Sequence, residues 1–377
     1  MYDMTCVIPR WGRTFQNIMS RFAKLADNRA EIEEVVRVVA AAKQYASADP
    51  REAQQSLANF HCPFVSLAPD RKRAERCYRI GFMGMDVGIA GMVLRLEGDE
   101  PHNGSSLIKL DEVDFTIVGL DELLSLNQLY LKAPEKVTKW GLYNYNINKD
   151  TDLRIAGSAD LRAYNATLGQ EIVDFVGFFL IANREVTLDL SQPGKLVQTK
   201  CPVYVKGRYE GLVHKILPGV KRVPVENVED AVIDDPEGVG IEIVQSGSTI
   251  KRKGLRVYGA PLFISESLYV ADYRRYQTNE KMKNLFEILG PLGYFDQTRL
   301  EHYVAWFQAL EQNLGESWVG RPTPEEIFCS LEEFEHGLRP YRLQTRRWTP
   351  SDTYKIEEAK TLVLDSLAKI RGIYRGS

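Results

Sequence analysis

The chain has 377 residues, which suits two or three domains rather than one small one. Hydrophobic residues at 44% and charged residues at 26% exclude a disordered or fibrous chain. Forty-eight basic against 51 acidic side chains give a formal charge of −3, which argues against a general nucleic-acid binder and leaves room for a local basic pocket.

The five cysteines, Cys6, Cys62, Cys77, Cys201 and Cys329, are scattered and odd in number, with no CxxC. They fit a reducing compartment and buried thiols. The five histidines form no HxxxH or HExxH pattern, so no zinc site is expected. Residues 1–4 lack the basic region and apolar core of a signal peptide. The most apolar run, 172–182, contains Asp174 and is too short to span a bilayer. The expectation is a cytoplasmic protein with no membrane and no nucleic-acid partner.

Thr5 to Pro9 reads as a buried strand and Arg10-Trp11-Gly12-Arg13 as a cationic turn. A helix then carries Phe15, Ile18, Met19, Phe22 and Leu25 on one face, with Thr14 as its N-cap. A second helix is expected over 31–45, with Ile32, Val35, Val36 and Val39 inward, and a third from Asp49-Pro50. Residues 79–97 read as glycine-punctuated turns and strands without a dinucleotide fingerprint. Val113 to Gly119 is a strand, after which Asp121 caps a helix through Leu129. Residues 135–151 are a candidate crossover. Leu153 to Ala156 and Phe178 to Val186 read as strands, with helix between 159 and 175. Leu196 to Lys200 is a strand and 203–217 a helix; 221–225 is a strand and 227–233 a short helix. Alternating strands and helices predict a parallel sheet with its ligand crevice at the strand carboxyl ends. Residues 255–270 are extended. Amphipathic helices follow over 278–289, 297–314, 324–336 and 354–373, with Thr323-Pro324-Glu325-Glu326 as a capping box.

The stretch richest in chemistry runs from Val239 to Leu255. A β-branched strand ends near Glu242, turns through Gln245-Ser246-Gly247-Ser248-Thr249, and continues as a basic helical turn stopped by Gly254. Backbone N–H groups and hydroxyls of Ser246, Ser248 and Thr249 can converge on a phosphate, and Gly247 permits the close approach. Glu242 can accept from sugar hydroxyls. The same residues also suit an ordinary strand-to-helix turn capped by serine or threonine, with Lys251, Arg252 and Lys253 on a solvated face.

Five segments, in order, resemble the ATP phosphoribosyltransferase catalytic chain of histidine biosynthesis. Ile8 to Arg13 resembles its N-terminal proline-lysine-glycine-arginine turn, and Val113 to Asp121 its alanine-aspartate-leucine-glycine-isoleucine strand with the aspartate beyond. Val197 to Pro202 resembles its alanine-threonine-lysine-tyrosine-proline segment. Glu226 with Ile241 to Leu255 resembles its acidic residue and phosphoribosyl loop, and Ser265 to Leu268 the strand that closes the lobe. The chain departs from the family at Glu242 for aspartate, Arg10 for lysine and Cys201 for tyrosine. It is also longer between 29 and 110, and helical where the long family form has a small regulatory domain.

The resemblance implies an α/β fold of two periplasmic-binding-protein-like lobes with a central cleft, plus a helical C-terminal extension. Lobe I would comprise 1–135 and 256–275, lobe II 136–255, and the helical region 276–377. It implies phosphoribosyl pyrophosphate, held with Mg2+, on the loop of Ser246, Gly247, Ser248 and Thr249. Glu226 and Glu242 would face the ribose, and Arg10, Gly12, Arg13 and Lys200 the pyrophosphate or acceptor phosphates. Arg10, Arg13 and Glu242 would be the catalytic residues. The implied acceptor is ATP, another purine nucleotide or a nitrogen heterocycle, and the implied assembly is a homo-oligomer. The other class of function in view is a non-catalytic two-lobed module that binds a small anion or nucleotide.

Overall fold

The computed structural model describes residues 2–41, 50–69, 78–99, 103–109, 112–123, 125, 153–165, 168–183, 186, 190, 196, 201–289, 297–323 and 326. The chain divides into two compact units. The first holds Met1–Val118, Asn144–Leu161 and Leu268–Leu292; the second holds Gly119–Tyr143, Arg162–Ser267 and Gly293–Ser377. Each is built on a six-stranded sheet, so the α/β class and two-unit organisation expected from the sequence are present.

The first unit begins with β1 (Met4–Pro9), α1 (Gly12–Ala23), α2 (Arg29–Ala41) and α3 (Pro50–Ala58). The hairpin β2 (Val65–Pro69) and β3 (Tyr78–Phe82) follows, then β4 (Gly84–Ile89), β5 (Met92–Asp99), α4 (Gly104–Lys109), β6 (Phe115–Gly119) and β7 (Leu153–Ser158). The sheet order is β4-β5-β1-β6-β15-β7, where β15 is Ser267–Asp272. β1 runs parallel to both β5 and β6, and all six of its residues are buried. An apolar run covered on both faces reads as a continuous hydrophobic segment, which is why this strand was legible without alternation. The stripe of α1 buries Phe15, Ile18, Met19 and Phe22 as its helical spacing requires. α1 starts at Gly12, whose φ of +91° turns the chain early, so Trp11 and not Thr14 is the N-cap. In α2 it is Val38, rather than Val36, that joins Ile32, Val35 and Val39 inside.

The second unit contains the hairpin β8 (Arg162–Asn165) and β9 (Gln170–Val173), then β10 (Val176–Ala182), β11 (Val203–Lys206), α5 (Glu210–Ile216), β12 (Arg222–Val225), α6 (Val228–Asp234), β13 (Val239–Val244), α7 (Ser248–Arg252) and β14 (Arg256–Ser265). Its sheet order is β12-β11-β13-β10-β14-β16, with β16 at Trp318–Val319. β11 is parallel to β12 and to β13, whereas β10 runs antiparallel to β13 and β14.

Several boundaries differ from the sequence expectations. The helix expected over 159–175 is the β8–β9 hairpin, closed by Gly169 at φ +67° and by the Asn165 side chain accepting from the Leu168 N–H at 3.0 Å. The segment 203–217 opens as a strand, because Val203 and Val205 alternate into the core before α5 begins. Residues 256–265 belong to the second unit, where β14 pairs with β10 on one side and β16 on the other.

The chain after 276 is not a separate helical region within the described residues. After α8 (Tyr273–Thr278), α9 (Glu280–Leu289) buries Met282, Leu285, Phe286 and Leu289 in the first unit's core. α10 (Gln297–Leu314) packs Tyr303, Trp306 and Phe307 against Phe175 and Trp318 of the second unit. The Thr323–Glu326 capping box forms, with reciprocal bonds of 2.7 and 3.2 Å. The helix expected over 354–373, nearly all of that over 324–336, the helix toward Leu129 beyond residue 125, the crossover at 135–151 and residues 197–200 of the expected strand lie outside the described residues.

The first unit contains one sharp steric test. A Cβ at Gly98 would stand 2.1 Å from the Phe82 carbonyl oxygen, a backbone atom that cannot swing aside. Gly98→Ala is expected to cost about 1–3 kcal/mol, the usual range for overpacking. Chemical denaturation checks it, and unchanged stability would refute this strand-to-strand approach.

Candidate functional site

The three parallel strands β12, β11 and β13 end on one edge of the second sheet. The register sets Lys206 beside Val225 and Val205 beside Ile241. Lys206, Glu226, Glu242 and the turn 245–248 therefore share the carboxyl edge, where open α/β sheets bind ligands. The edge is mixed in charge, with Glu226 exposed just past β12 and Lys206 half-buried.

β13 sets the face of Glu242. Val239 and Ile241 point into the core with Val203 and Val205, so Gly240 and Glu242 point the other way. A Cβ at Gly240 would meet Val228 Cγ1 of α6 at 2.5 Å, so the glycine lets that helix close onto the strand. Glu242 accepts from the Ile243 N–H at 2.8 Å. Burial raises its pKa above the usual carboxylate value, and the charge of Glu229 adds to this; the Ile243 N–H, Lys206 and Arg208 oppose it.

The turn is built from behind. Trp306 Nε1 donates to the Gln245 carbonyl at 3.1 Å, and the Gln245 amide donates to the Asp174 carboxylate. Gly247 is buried at φ +74°, and a Cβ there would meet Leu314 Cδ2 at 2.5 Å. Only glycine suits both the left-handed backbone and the contact with α10. Ser246 and Ser248 share a hydrogen bond between their hydroxyls, with Ser248 exposed and Thr249 half-buried, so the polar side of the turn reaches the surface.

Gly247 is the N-cap of α7, in place of the serine or threonine expected of a bland turn. α7 has five residues, too few for a substantial macrodipole, so the turn's anion affinity has to come from its N–H and O–H groups. Its end is a Schellman motif: Gly254 is at φ +71°, with Leu255 N–H on the Ile250 carbonyl and Gly254 N–H on that of Lys251. Lys253 is not on a solvated face, because it pairs with Asp230 at 2.6 Å and Glu229 at 3.4 Å.

The cationic turn after β1 belongs to the first unit. Arg10 pairs with Asp99 at 2.6 Å and lies 5.6 Å from the Trp11 ring centroid, with Arg79 at 5.2 Å from the same ring. Gly12 makes the bend and Arg13 is exposed on the first turn of α1. Lys200 lies outside the described residues.

The sequence reading missed a buried polar cluster beside the β11 end. Asp121 was expected to cap a helix, but it lies within the helical turn 120–123 and its carboxylate turns inward. Tyr209 donates to Asp121 at 2.7 Å, with Glu122 3.1 Å away, and Ser265 donates to Asp121 at 2.5 Å. Arg208 pairs with Glu122 at 3.0 Å. Burial drives the Tyr209 phenol far above its ordinary pKa, with Asp121 and Glu122 adding to the shift, so it remains a neutral donor. The available signal was the acidic pair Asp121-Glu122, one leucine past the strand-ending Gly119.

Among the described residues no group of three or more His, Cys, Asp or Glu side chains is disposed to hold a metal ion. No described helix is long and apolar enough to cross a membrane.

No protein-family model matches the chain, and no curated protein matches it. Among solved structures it is similar to the ATP phosphoribosyl transferase (HisG:HisZ) complex from Thermotoga maritima, at 11% identity and TM-score 0.39, over 76% of this chain and 96% of that one. YhfZ from Shigella flexneri is similar at 10% identity and TM-score 0.32, over 84% and 98%. The arginine-bound, truncated ArgBP of T. maritima is similar at 11% and 0.30, over 53% and 75%.

Glu242 supplies a pH test. A carboxyl whose folded pKa lies above its unfolded value gives stability that is complete below the unfolded value and lost as pH rises through the folded one. Its ordinary value is 4.5. Glu242→Gln is therefore expected to stabilise the chain near neutrality and to lose that advantage at about pH 4. Denaturation at the two pH values checks it; an equal effect at both would contradict the burial of this carboxyl.

Proposed function

We propose that the carboxyl edge of β12, β11 and β13 binds a phosphorylated ribose, and that the chain is a phosphoribosyltransferase. The observation that carries this reading is the turn at Gly247. Its backbone is backed by Leu314 and Trp306 on one side and carries Ser246, Ser248 and Thr249, at the same sheet edge as the carboxylates Glu242 and Glu226. A pre-set nest takes a phosphate at low ordering cost, and adjacent carboxylates accept from vicinal hydroxyls.

The donor substrate is phosphoribosyl pyrophosphate with its magnesium. The magnesium would be carried in on the substrate phosphates and touched by one or two carboxylates. The acceptor is a ring nitrogen of ATP or of a related purine or heterocycle. Its lone pair forms the C–N bond at the anomeric carbon, the C–O bond to pyrophosphate breaks, and pyrophosphate leaves with that electron pair. The acceptor's surplus proton passes to solvent. Charge builds on the sugar as a cation and on the leaving group as an anion, so positioned donors and cations suffice without a covalent nucleophile. Lys200 is assigned to phosphates of the leaving group or acceptor.

Thr249→Ala is expected to weaken phosphoribosyl pyrophosphate binding about tenfold, or about 1.4 kcal/mol, at unchanged thermal stability. Isothermal titration measures it, and full affinity in this variant would refute the turn assignment. A pyrophosphate-release assay across nucleotides and nucleobases identifies the acceptor. Tight donor binding with no release on any acceptor would select the non-catalytic binding module instead.

A further inference from the structure

The buried cluster beside β11 has a feature that core packing does not require. Arg208 stands immediately past the strand, in the single turn Gly207–Tyr209. Its side chain is 40% exposed, while its partner Glu122 is only 10% exposed. The guanidinium carbon lies 4.6 Å from the centroid of the Tyr209 ring, and Nη1 is 3.0 Å from Glu122 Oε1. The cation is therefore held against a ring and beside a carboxylate, on a side chain that is partly exposed.

The grip is itself fixed. Tyr209 has one hydroxyl proton, and the 2.7 Å contact gives it to Asp121 rather than to Glu122 at 3.1 Å. Asp121 is held in turn by Ser265, which donates to Oδ1 and accepts from the Asp121 N–H at 3.1 Å. Glu122 faces Arg208. A guanidinium carries five N–H donors, so one bond to Glu122 leaves a planar fork for a second anion. The same edge holds Glu242, whose ionisation Arg208 and Lys206 both favour.

We propose that Arg208 is an anion-binding residue of this edge that takes a phosphate or pyrophosphate oxygen, and that Glu122 and Tyr209 are positioning residues that aim it. The assignment deepens the phosphoribosyltransferase reading and rests on it for the identity of the anion. Bidentate N–H···O contacts from a pre-aimed guanidinium suit a diphosphate leaving group, whose charge rises as the glycosidic bond breaks.

The probe is inorganic pyrophosphate, titrated calorimetrically into the full chain. Arg208→Ala alone takes the cation away from the buried Glu122 carboxylate, so the decisive variant is Arg208→Ala with Glu122→Gln, which removes both charges together. This double variant is expected to melt near the parent's temperature and to bind pyrophosphate at least tenfold more weakly. Arg208→Lys should recover part of the loss. Tyr209→Leu should also weaken binding, and Tyr209→Phe, which keeps the ring under the guanidinium, should restore most of it. Parent-like affinity in the folded double variant would overturn the assignment while leaving the phosphoribosyltransferase reading in place. Weakened pyrophosphate binding in that variant, with no phosphoribosyl transfer by the parent, would keep Arg208 and retire the reading. A parent chain that does not bind pyrophosphate would overturn both.

Discussion

The contact between Gly247 and Leu314 is the constraint on which the site depends. A residue at φ +74° with a leucine behind it has no room for a side chain, so the turn has a single shape. That shape starts α7 and puts the serine hydroxyls together, with Thr249 half-buried beside them. The turn is thus not a free loop. Its far side is the aromatic bed of α10, where Trp306 also holds the Gln245 carbonyl. A nest fixed in advance loses little entropy when it closes on an anion, which a mobile serine-rich loop would have to lose.

Around this turn the edge balances charge rather than accumulating it. Lys253 is committed to Asp230 and Glu229. Lys206 and Arg208 instead flank a half-buried carboxylate whose pKa is raised. Such a carboxylate is costly in an empty protein and useful beside a sugar that becomes cationic, the familiar exchange of stability for function. Two buried acids and a tyrosine support one partly exposed guanidinium beside it, a spread of polar burial that packing alone gives no reason for.

The sequence made some of this legible and left some hidden, for physical reasons. β1 and β13 are apolar runs flanked by turn residues, and α1 has a clean helical stripe, so local pattern was enough. The turn was legible too, because Gly247 and Gly254 punctuate it and both adopt positive φ. The β8–β9 hairpin was read as helix because a short strand pair with partly exposed faces lacks a firm period of two. The fate of β14 depended on pairing partners rather than on its own residues. The polar cluster was invisible for the same reason: Tyr209 and Glu122 are 87 residues apart, and a tyrosine after a short strand carries no sign of the acids it will meet. Asp121 has the look of an N-cap because an aspartate shortly past a strand end and before an apolar run is an ordinary helix start.

Amide hydrogen exchange with and without phosphoribosyl pyrophosphate tests the account most directly, because it reports on backbone N–H groups that a phosphate must engage. Added phosphoribosyl pyrophosphate is expected to slow exchange across residues 246–250 and at the β11 end around Arg208. Slowed exchange elsewhere, with 239–255 unchanged, would contradict it.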